Sequence, residues 1–341
     1  MTNRTHWKVK PRAVALVAAI WFGFGAFLAH ADPFAYVTNQ KEDSVSVIDT
    51  ATGTVVKTLK VGKDPAGVAV SRDGSKVVVT NPGSSNVAII DGYHHDLQAL
   101  VPVGEGPLGI AMDARGARAY IADFYGHFVS VLNLADRQIF KRVPVGRYPA
   151  GIVVSPDGAR IYIANREDNA VSIINGLTLT VDKTGAVGQH PFGLLLDAGG
   201  KRLYVANVES NDVTILDAES LSFIKTIKVG DRPYALAEAL SGQRVFVTNQ
   251  YDSTLSVIDA GKLEVIATVA VGEYPEGISR HPDDHHVYVA NWFDNSVSVV
   301  NAESLKVEKT IRSGNGSRAF GEFMPQGLMP VSGSADNLSR H

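Results

Sequence analysis

The sequence predicts an all-β protein, a seven-bladed β-propeller with four antiparallel strands per blade. Three observations predict it. A 42-residue unit starting at Ala35 recurs at Val77, Ala119, Ile161, Leu203, Val245 and Val287, and the first six copies carry no insertion. Each copy reads as four short runs of β-branched and aromatic residues, punctuated by Gly, Asp, Asn and Pro. No helical period of useful length appears. Self-similarity at a period of about 40–45 residues with short strands is the mark of a propeller, one copy per blade.

Before the first copy, Met1 to Arg12 carries Arg4, Lys8, Lys10 and Arg12 and no acid, and Ala13 to Leu28 is apolar throughout. Ala29-His30-Ala31 then offers a small-residue cleavage site. This order predicts a secretory signal peptide over residues 1–31, and hence a periplasmic or secreted protein. The competing reading is a retained anchor, but the apolar run falls short of the about 20 residues that span a bilayer. No stable membrane span is expected after cleavage.

Removing residues 1–31 lowers Lys+Arg from 32 to 28 against 35 Asp+Glu, which leaves −7. A mildly acidic chain lacks the electrostatic footprint of a nucleic-acid binder, so nucleic acid is not an expected partner. The chain has no cysteine. Disulfides, thiolate metal sites and the C-x-x-C-H attachment of haem are thereby excluded. A closed ring of this length buries a large core without covalent staples, and a monomer is expected.

Within the first copy, Ala35–Asn39, Val45–Asp49, Thr54–Val61 and Ala66–Ser71 are the four runs, closed by the turn Arg72-Asp73-Gly74-Ser75. Columns across the copies say what the blade needs. Gly62 is matched by Gly at 104, 146, 188, 230, 272 and 314, as expected where a tight turn requires positive φ. Pro65 recurs at 107, 149, 191, 233 and 275, where it opens a strand without using a ladder donor. Tyr36, Tyr120, Tyr162, Tyr204, Phe246 and Tyr288 supply a large ring for the core between blades. Asn39, Asn81, Asn165, Asn207, Asn249 and Asn291, with Asp123 in the third copy, are expected to cap the following connection through backbone N–H groups. The alternative is a ligand-facing polar ring.

The motifs YVTN at Tyr36–Asn39, VSVIDTATG, VGKDPAGVAV, SRDGSK and, at Ser155–Gly158, SPDG resemble the YVTN family of β-propeller repeat proteins. The resemblance runs from Ala35 to about Met324. It implies the propeller fold, and the family includes surface-layer proteins, exported bacterial proteins of unassigned role and relatives of propeller dehydrogenases. The motif residues are scaffold residues in that family, so the resemblance transfers no catalytic residue. Asp123 and the last copy, SGNGSRAFGEF, depart from the pattern.

That last copy predicts how the ring closes. The first YVTN run lacks an inner strand before it, and Arg318–Phe323 is an inner strand with no run after it. Pairing them removes both free edges. The propeller then occupies residues 32–325, with a polar, disordered tail expected over 326–341.

Ligands of closed β architectures sit where loops converge on the axis. The loops after the Asn column and after the Gly62 column share one mouth, and the sequence favours that one. There Tyr148, His190, Arg232 and Tyr274 hold equivalent positions in four successive copies and should form an arc. Glu105, Arg147 and Glu273 stand one residue earlier, and Phe124, Tyr125, His127, Arg166, Tyr251, Trp292 and Phe293 lie in the neighbouring loops. Aromatics mixed with Arg and His on a rigid scaffold make a binding surface; alternatively, they pack on neighbouring loops.

No metal site is assigned. His94 and His95 sit in a different copy from His281, His285 and His286, and one hairpin offers two or three imidazoles plus Asp283. No catalytic residue is assigned either, because no nucleophile elbow, H-E-x-x-H, P-loop or dinucleotide fingerprint is present. Glu105, Asp123 and Glu273 are the acids on the favoured face, from separated copies.

A last column breaks the core pattern. Val70, Met112, Val154 and Leu196 give way to Glu238, Arg280 and Glu322. Alternating signs in successive blades predict a Glu–Arg–Glu relay, with one guanidinium serving two carboxylates. The alternative is a wet channel with each charge separately hydrated.

Two function classes stay open. The first is a non-catalytic exported module binding a partner protein, glycan or small ligand at the loop-rich mouth. The second is an enzyme or cofactor protein, such as a metal-dependent lactonase or lyase, or a relative of quinone- or haem-type dehydrogenases. Fold alone does not choose between them, and no cofactor is identified from the residues.

Overall fold

The structure is a computed structural model that describes residues 1–2 and 33–327. The predicted signal peptide and residues 328–341 of the predicted tail lie outside the described residues, apart from the first two. Among the described residues, no helix is long and apolar enough to cross a membrane.

Strands β1 (Phe34–Asn39), β2 (Ser44–Asp49) and β3 (Thr54–Lys60) form the first sheet, and β4 (Val68–Val70), β5 (Lys76–Asn81), β6 (Asn86–Asp91) and β7 (Asp96–Pro102) the second. Five further four-stranded sheets follow, giving seven blades as expected. Their innermost strands are Pro107–Met112, Pro149–Val154, Pro191–Leu196, Pro233–Ala239 and Pro275–Arg280. All pairs between these strands are antiparallel, and the outer pair carries a bulge at one recurring place, between Val47 and Ile48 in the first blade and Ile89 and Ile90 in the second. The bulge adds twist at the rim.

Each blade is apolar on both faces because it is packed between two others. The aromatic column is the core between blades: Tyr36, Tyr120, Tyr162, Tyr204 and Phe246 are almost fully buried. Two of the phenols reach the next blade, Tyr36 donating to the Gly92 carbonyl and Tyr162 to that of Ala218, each at 2.9 Å. A buried hydroxyl left unpaired there would cost about 1–3 kcal/mol.

The blade containing β1 is completed by the C-terminal segment. Arg318 N–H donates to Thr38 O and Tyr36 N–H to Phe323 O, both at 2.9 Å. On its other side Val68 N–H donates to Phe320 O and Val70 N–H to Glu322 O. Ala319, Phe323 and Met324 are buried. The segment is irregular, joined by isolated bridges, but it closes the ring between the expected partners. Gln326, expected in the tail, is held instead: its side-chain amide donates to Arg280 O at 3.1 Å and its Oε1 accepts from Arg280 Nε at 3.1 Å.

Two expected column roles are corrected. The Gly62 column is not at positive φ; the residue two further on is in every copy but the one with Gly106, as at Tyr148 (53°) and Tyr274 (56°). Glycine is required because a Cβ at Gly62 would fall 2.6 Å from the Asn81 side chain, and one at Gly314 2.5 Å from that of Asn39. The Asn column does not cap the next connection. Asn39 donates to the hydroxyls of Ser44 and Ser46, and Asn291 to those of Ser296 and Ser298, so the amide ties the first strand to the second. Asn81, Asn207 and Asn249 likewise bond forward into the second strand, and Asn165 reaches Ser172 while accepting from Gly146 N–H. Asp123, the exception, does cap its loop, accepting from Gly126 N–H at 2.7 Å.

Candidate functional site

What fills the axis decides where a ligand can enter. At the loop-side end, inner-strand residues grow bulky: Phe192 stacks on Tyr234 at 4.1 Å, and Phe320 meets both rings at 5.0 and 5.5 Å. Ala150, Leu108 and Phe124 pack into the same cluster. Beside it Glu276 and Arg318 form an ion pair at 2.7 Å, Arg318 donates to the Tyr234 hydroxyl at 2.7 Å, and Gln250 donates to Glu276 at 3.0 Å. Desolvation pulls the Arg318 guanidinium down, but the Glu276 carboxylate more than offsets it, so Arg318 titrates above its ordinary range. This knot closes the axis at the mouth the sequence favoured. Apart from Phe320, Phe124 and Gln250, its residues follow one column, Ala66, Leu108, Ala150, Phe192, Tyr234, Glu276 and Arg318, whose drift from small to bulky and charged was the signal for it.

Below the knot the axis opens into a cavity of about 400 Å³ that faces the hairpin mouth. That size lies within the range of small-molecule pockets, roughly 300–1,000 Å³. Its wall is sided. Ile110, Met112, Ile152, Val154, Leu194 and Leu196 make an apolar half, and Glu238, Arg280, Glu322 and Gln326 a polar one, with Asp113 and Asp197 at the rim. The column break in the sequence therefore marks a cavity lining.

The relay expected there does not form. Arg280 donates to Asp284 at 3.1 Å and to Gln326 at 3.1 Å, and pairs with neither Glu238 nor Glu322. Its own hairpin supplies the closer carboxylate. Glu238 accepts from Ala198 N–H at 3.1 Å. Desolvation lifts the Glu238 carboxyl above its ordinary pKa, and the same cause lifts Glu322, against the opposing pull of Arg280.

The predicted arc exists on the opposite mouth. Tyr148, His190, Arg232 and Tyr274 are all partly exposed, and all four have positive φ. Their contacts link them into one band. Tyr148 packs on Phe124, Tyr125 and His127, whose Nδ1 accepts from Tyr148 N–H at 3.1 Å. His190 lies between Glu167 and Glu209, at 3.7 and 3.6 Å, and Arg232 bonds to Glu209 at 2.5 Å and covers the Tyr251 ring. Tyr251, Trp292 and Phe293 surround Tyr274, and Trp292 donates to Gln40. Arg147 pairs with Asp168, and Arg166 with Glu167. Glu105 and Glu273 are exposed and belong to separate blades, and Asp123 accepts from the Gly126 and Gly106 N–H groups through one oxygen, so these three acids do not cluster. Much of the arc's polarity is satisfied internally; a shallow open groove remains between Tyr251, Glu273, Tyr274 and Phe293.

Known proteins agree with this architecture. The family described as "Lactonase, 7-bladed beta-propeller" matches residues 98–222, which run from the second blade into the fifth. No curated protein matches the chain. Among solved structures, hydrazine synthase of Kuenenia stuttgartiensis superposes with a TM-score of 0.72 at 20% identity, covering 83% of this chain and 99% of the other. A functionally unknown protein from Desulfotomaculum acetoxidans DSM 771 gives 0.74 at 17% identity, covering 84% and 99%. Dihydro-heme d1 dehydrogenase NirN in complex with DHE gives 0.65 at 14% identity, covering 83% of this chain and 64% of that one. At these identities the likeness is one of fold.

Proposed function

We propose that this protein is an exported propeller of the YVTN-repeat type that binds a small ligand in the axial cavity, entering from the hairpin mouth. The single observation that carries this reading is the sided cavity of about 400 Å³. An apolar wall would take a hydrocarbon face, and the acid-rich opposite wall would take hydrogen-bond donors or a positive charge. A compact amphipathic molecule with hydroxyl or amine groups at one end meets both demands. The arc on the other mouth then serves as a second surface for a protein or glycan partner. A ligand-observed NMR screen of small amphipathic amines, polyols and lactones tests the reading. Binders should compete with one another and lose affinity in Leu196→Trp, which fills the cavity. Binders unaffected by that change would count against it.

A second reading is hydrolysis of a cyclic ester, favoured by the lactonase-family match across the second to fifth blades. Desolvation lifts the carboxyls of the buried Glu238 and of the more exposed Glu322 above the ordinary carboxylate range, the direction that makes a carboxylate a stronger general base. Arg280, on the same wall, is the cation placed to stabilise charge on a carbonyl oxygen. Lactone opening followed by acid release, measured in wild type and in Glu238→Gln and Glu322→Gln, separates the readings. Turnover abolished by either change supports hydrolysis; binding without turnover supports a binding module alone.

A further inference from the structure

We propose that His281, Asp283 and His286, on the hairpin between Pro275–Arg280 and His286–Asn291, form a three-ligand site for a divalent transition metal such as Zn²⁺. One ligand atom from each lies within 4.8 Å of the others. None of the three lines the axial cavity, so the site is independent of the ligand reading above.

The site is a scaffold turn whose chemistry has been changed. In the second blade the same turn is Ser71, Asp73 and Lys76, where Ser71 donates to Asp73 at 2.7 Å and Lys76 reaches a carbonyl of the next blade. In the fourth it is Ser155, Asp157 and Arg160, where Ser155 again donates to Asp157 and Arg160 reaches the Glu219 carboxylate of the next blade. In the seventh blade both the serine and the cation are replaced by imidazoles, while the aspartate stays. Asp283 uses one oxygen as Asp73 does, accepting backbone N–H groups from His285 at 2.8 Å and His286 at 3.1 Å. Its other oxygen is turned to the imidazoles, 3.0 Å from His281 Nδ1 and 2.6 Å from His286 Nδ1. His281 Nδ1 also lies 3.2 Å from the Asp283 amide, a contact that a cation would compete with.

Partners on the far ring nitrogens are in place. His286 Nε2 is 3.1 Å from the Glu308 carboxylate, and His281 Nε2 is 3.3 Å from the Thr50 hydroxyl of the first blade. Such groups fix the tautomer and the ring orientation of metal-binding histidines. His281 also stacks on Tyr288 at 5.6 Å, which limits its rotation. Two imidazoles and one carboxylate select zinc-like ions over Ca²⁺ or Mg²⁺, which want oxygen ligands. Three protein ligands leave a fourth position open to water. Contacts of 2.6 and 3.0 Å need only a small opening to admit an ion about 2.0–2.2 Å from each atom.

The test is calorimetric titration of Zn²⁺ into untagged, chelator-stripped protein at pH 7.5. One site per chain is expected, at least tenfold weaker in His286→Ala, weaker by about tenfold or more in Glu308→Gln, absent in His281→Ala/His286→Ala, and unchanged in His94→Ala/His95→Ala. Absence of a site in wild type, or equal affinity in a folded His281→Ala/His286→Ala double variant, would overturn it. Should that double variant fail to fold, imidazole resonances of the wild type decide: Zn²⁺ must shift His281 and His286 and spare His94 and His95. The reverse pattern refutes the site.

Discussion

Nε of Arg318 lies 2.7 Å from a carboxylate oxygen of Glu276, and the same guanidinium donates to the hydroxyl of Tyr234 at 2.7 Å. The three residues come from the closing segment, the seventh blade and the sixth. The ring seam is thus pinned at the axis by a buried ion pair. Removing one partner of such a pair strands a charge, whereas replacing both is often nearly neutral. Arg318→Met should therefore cost about 3–5 kcal/mol, and adding Glu276→Leu should recover most of it. Equal losses for the single and double variants in chemical denaturation would contradict the pairing.

Closure also rests on backbone bonds from Arg318 and Phe323 to β1, and from β4 to Phe320 and Glu322. Ending the chain at Ser317 should expose β1 as a free edge and abolish a single cooperative thermal transition. A melting temperature equal to that of the full chain would show that the segment does not seal the ring.

Glu322 faces the cavity with its pKa raised by desolvation. A carboxyl whose folded pKa exceeds its unfolded one binds more protons when folded, so stability falls as pH rises between the two values. Glu322→Gln should raise the melting temperature at pH 7.5, and the gain should shrink below about pH 4, near the ordinary Glu value of about 4.3. No gain at pH 7.5 would mean the carboxyl is fully hydrated, and a gain that is constant with pH would mean that it does not come from ionisation.

Much of this was legible in the chain because a propeller repeats its sequence where it repeats its structure. The Tyr36 column, the closing strand and the arc at Tyr148, His190, Arg232 and Tyr274 lie where the period places them. The glycine column was legible as a requirement but not as its cause, since close packing on Asn81 and positive φ leave the same residue in the sequence. Which mouth the axial cavity faces was not legible. It depends on how Phe192, Tyr234, Glu276 and Arg318, each from a different blade, meet across the axis. Likewise Arg280 turned to Asp284, four residues on, rather than to glutamates in neighbouring blades.

The hairpin His281–His286 carries its own pH signature. Desolvation opposes the charged His286, but Asp283 and Glu308 outweigh it and raise its pKa; desolvation likewise opposes the Asp283 carboxylate, but hydrogen bonds from His281, His286 and the His285 amide together outweigh it and hold Asp283 well below the carboxylate range. The stabilisation from His286 is complete below about pH 6.5 and is lost as pH rises through its raised folded pKa. That from Asp283 is present above about pH 3.9 and is lost as pH falls. Asp283→Asn should therefore lower the melting temperature more at pH 6 than at pH 8.5. An equal drop at both would remove the charge pair from the account.

Titration with the neutral fluorophore N-phenyl-1-naphthylamine tests whether ligands enter the axial cavity from the hairpin mouth. Wild-type protein should enhance its emission at one site per chain. Leu196→Trp should abolish the enhancement, and Tyr148→Ala/Arg232→Ala should leave it unchanged. Enhancement that survives Leu196→Trp and disappears with the arc variant would contradict the claim and return the site to the loop mouth.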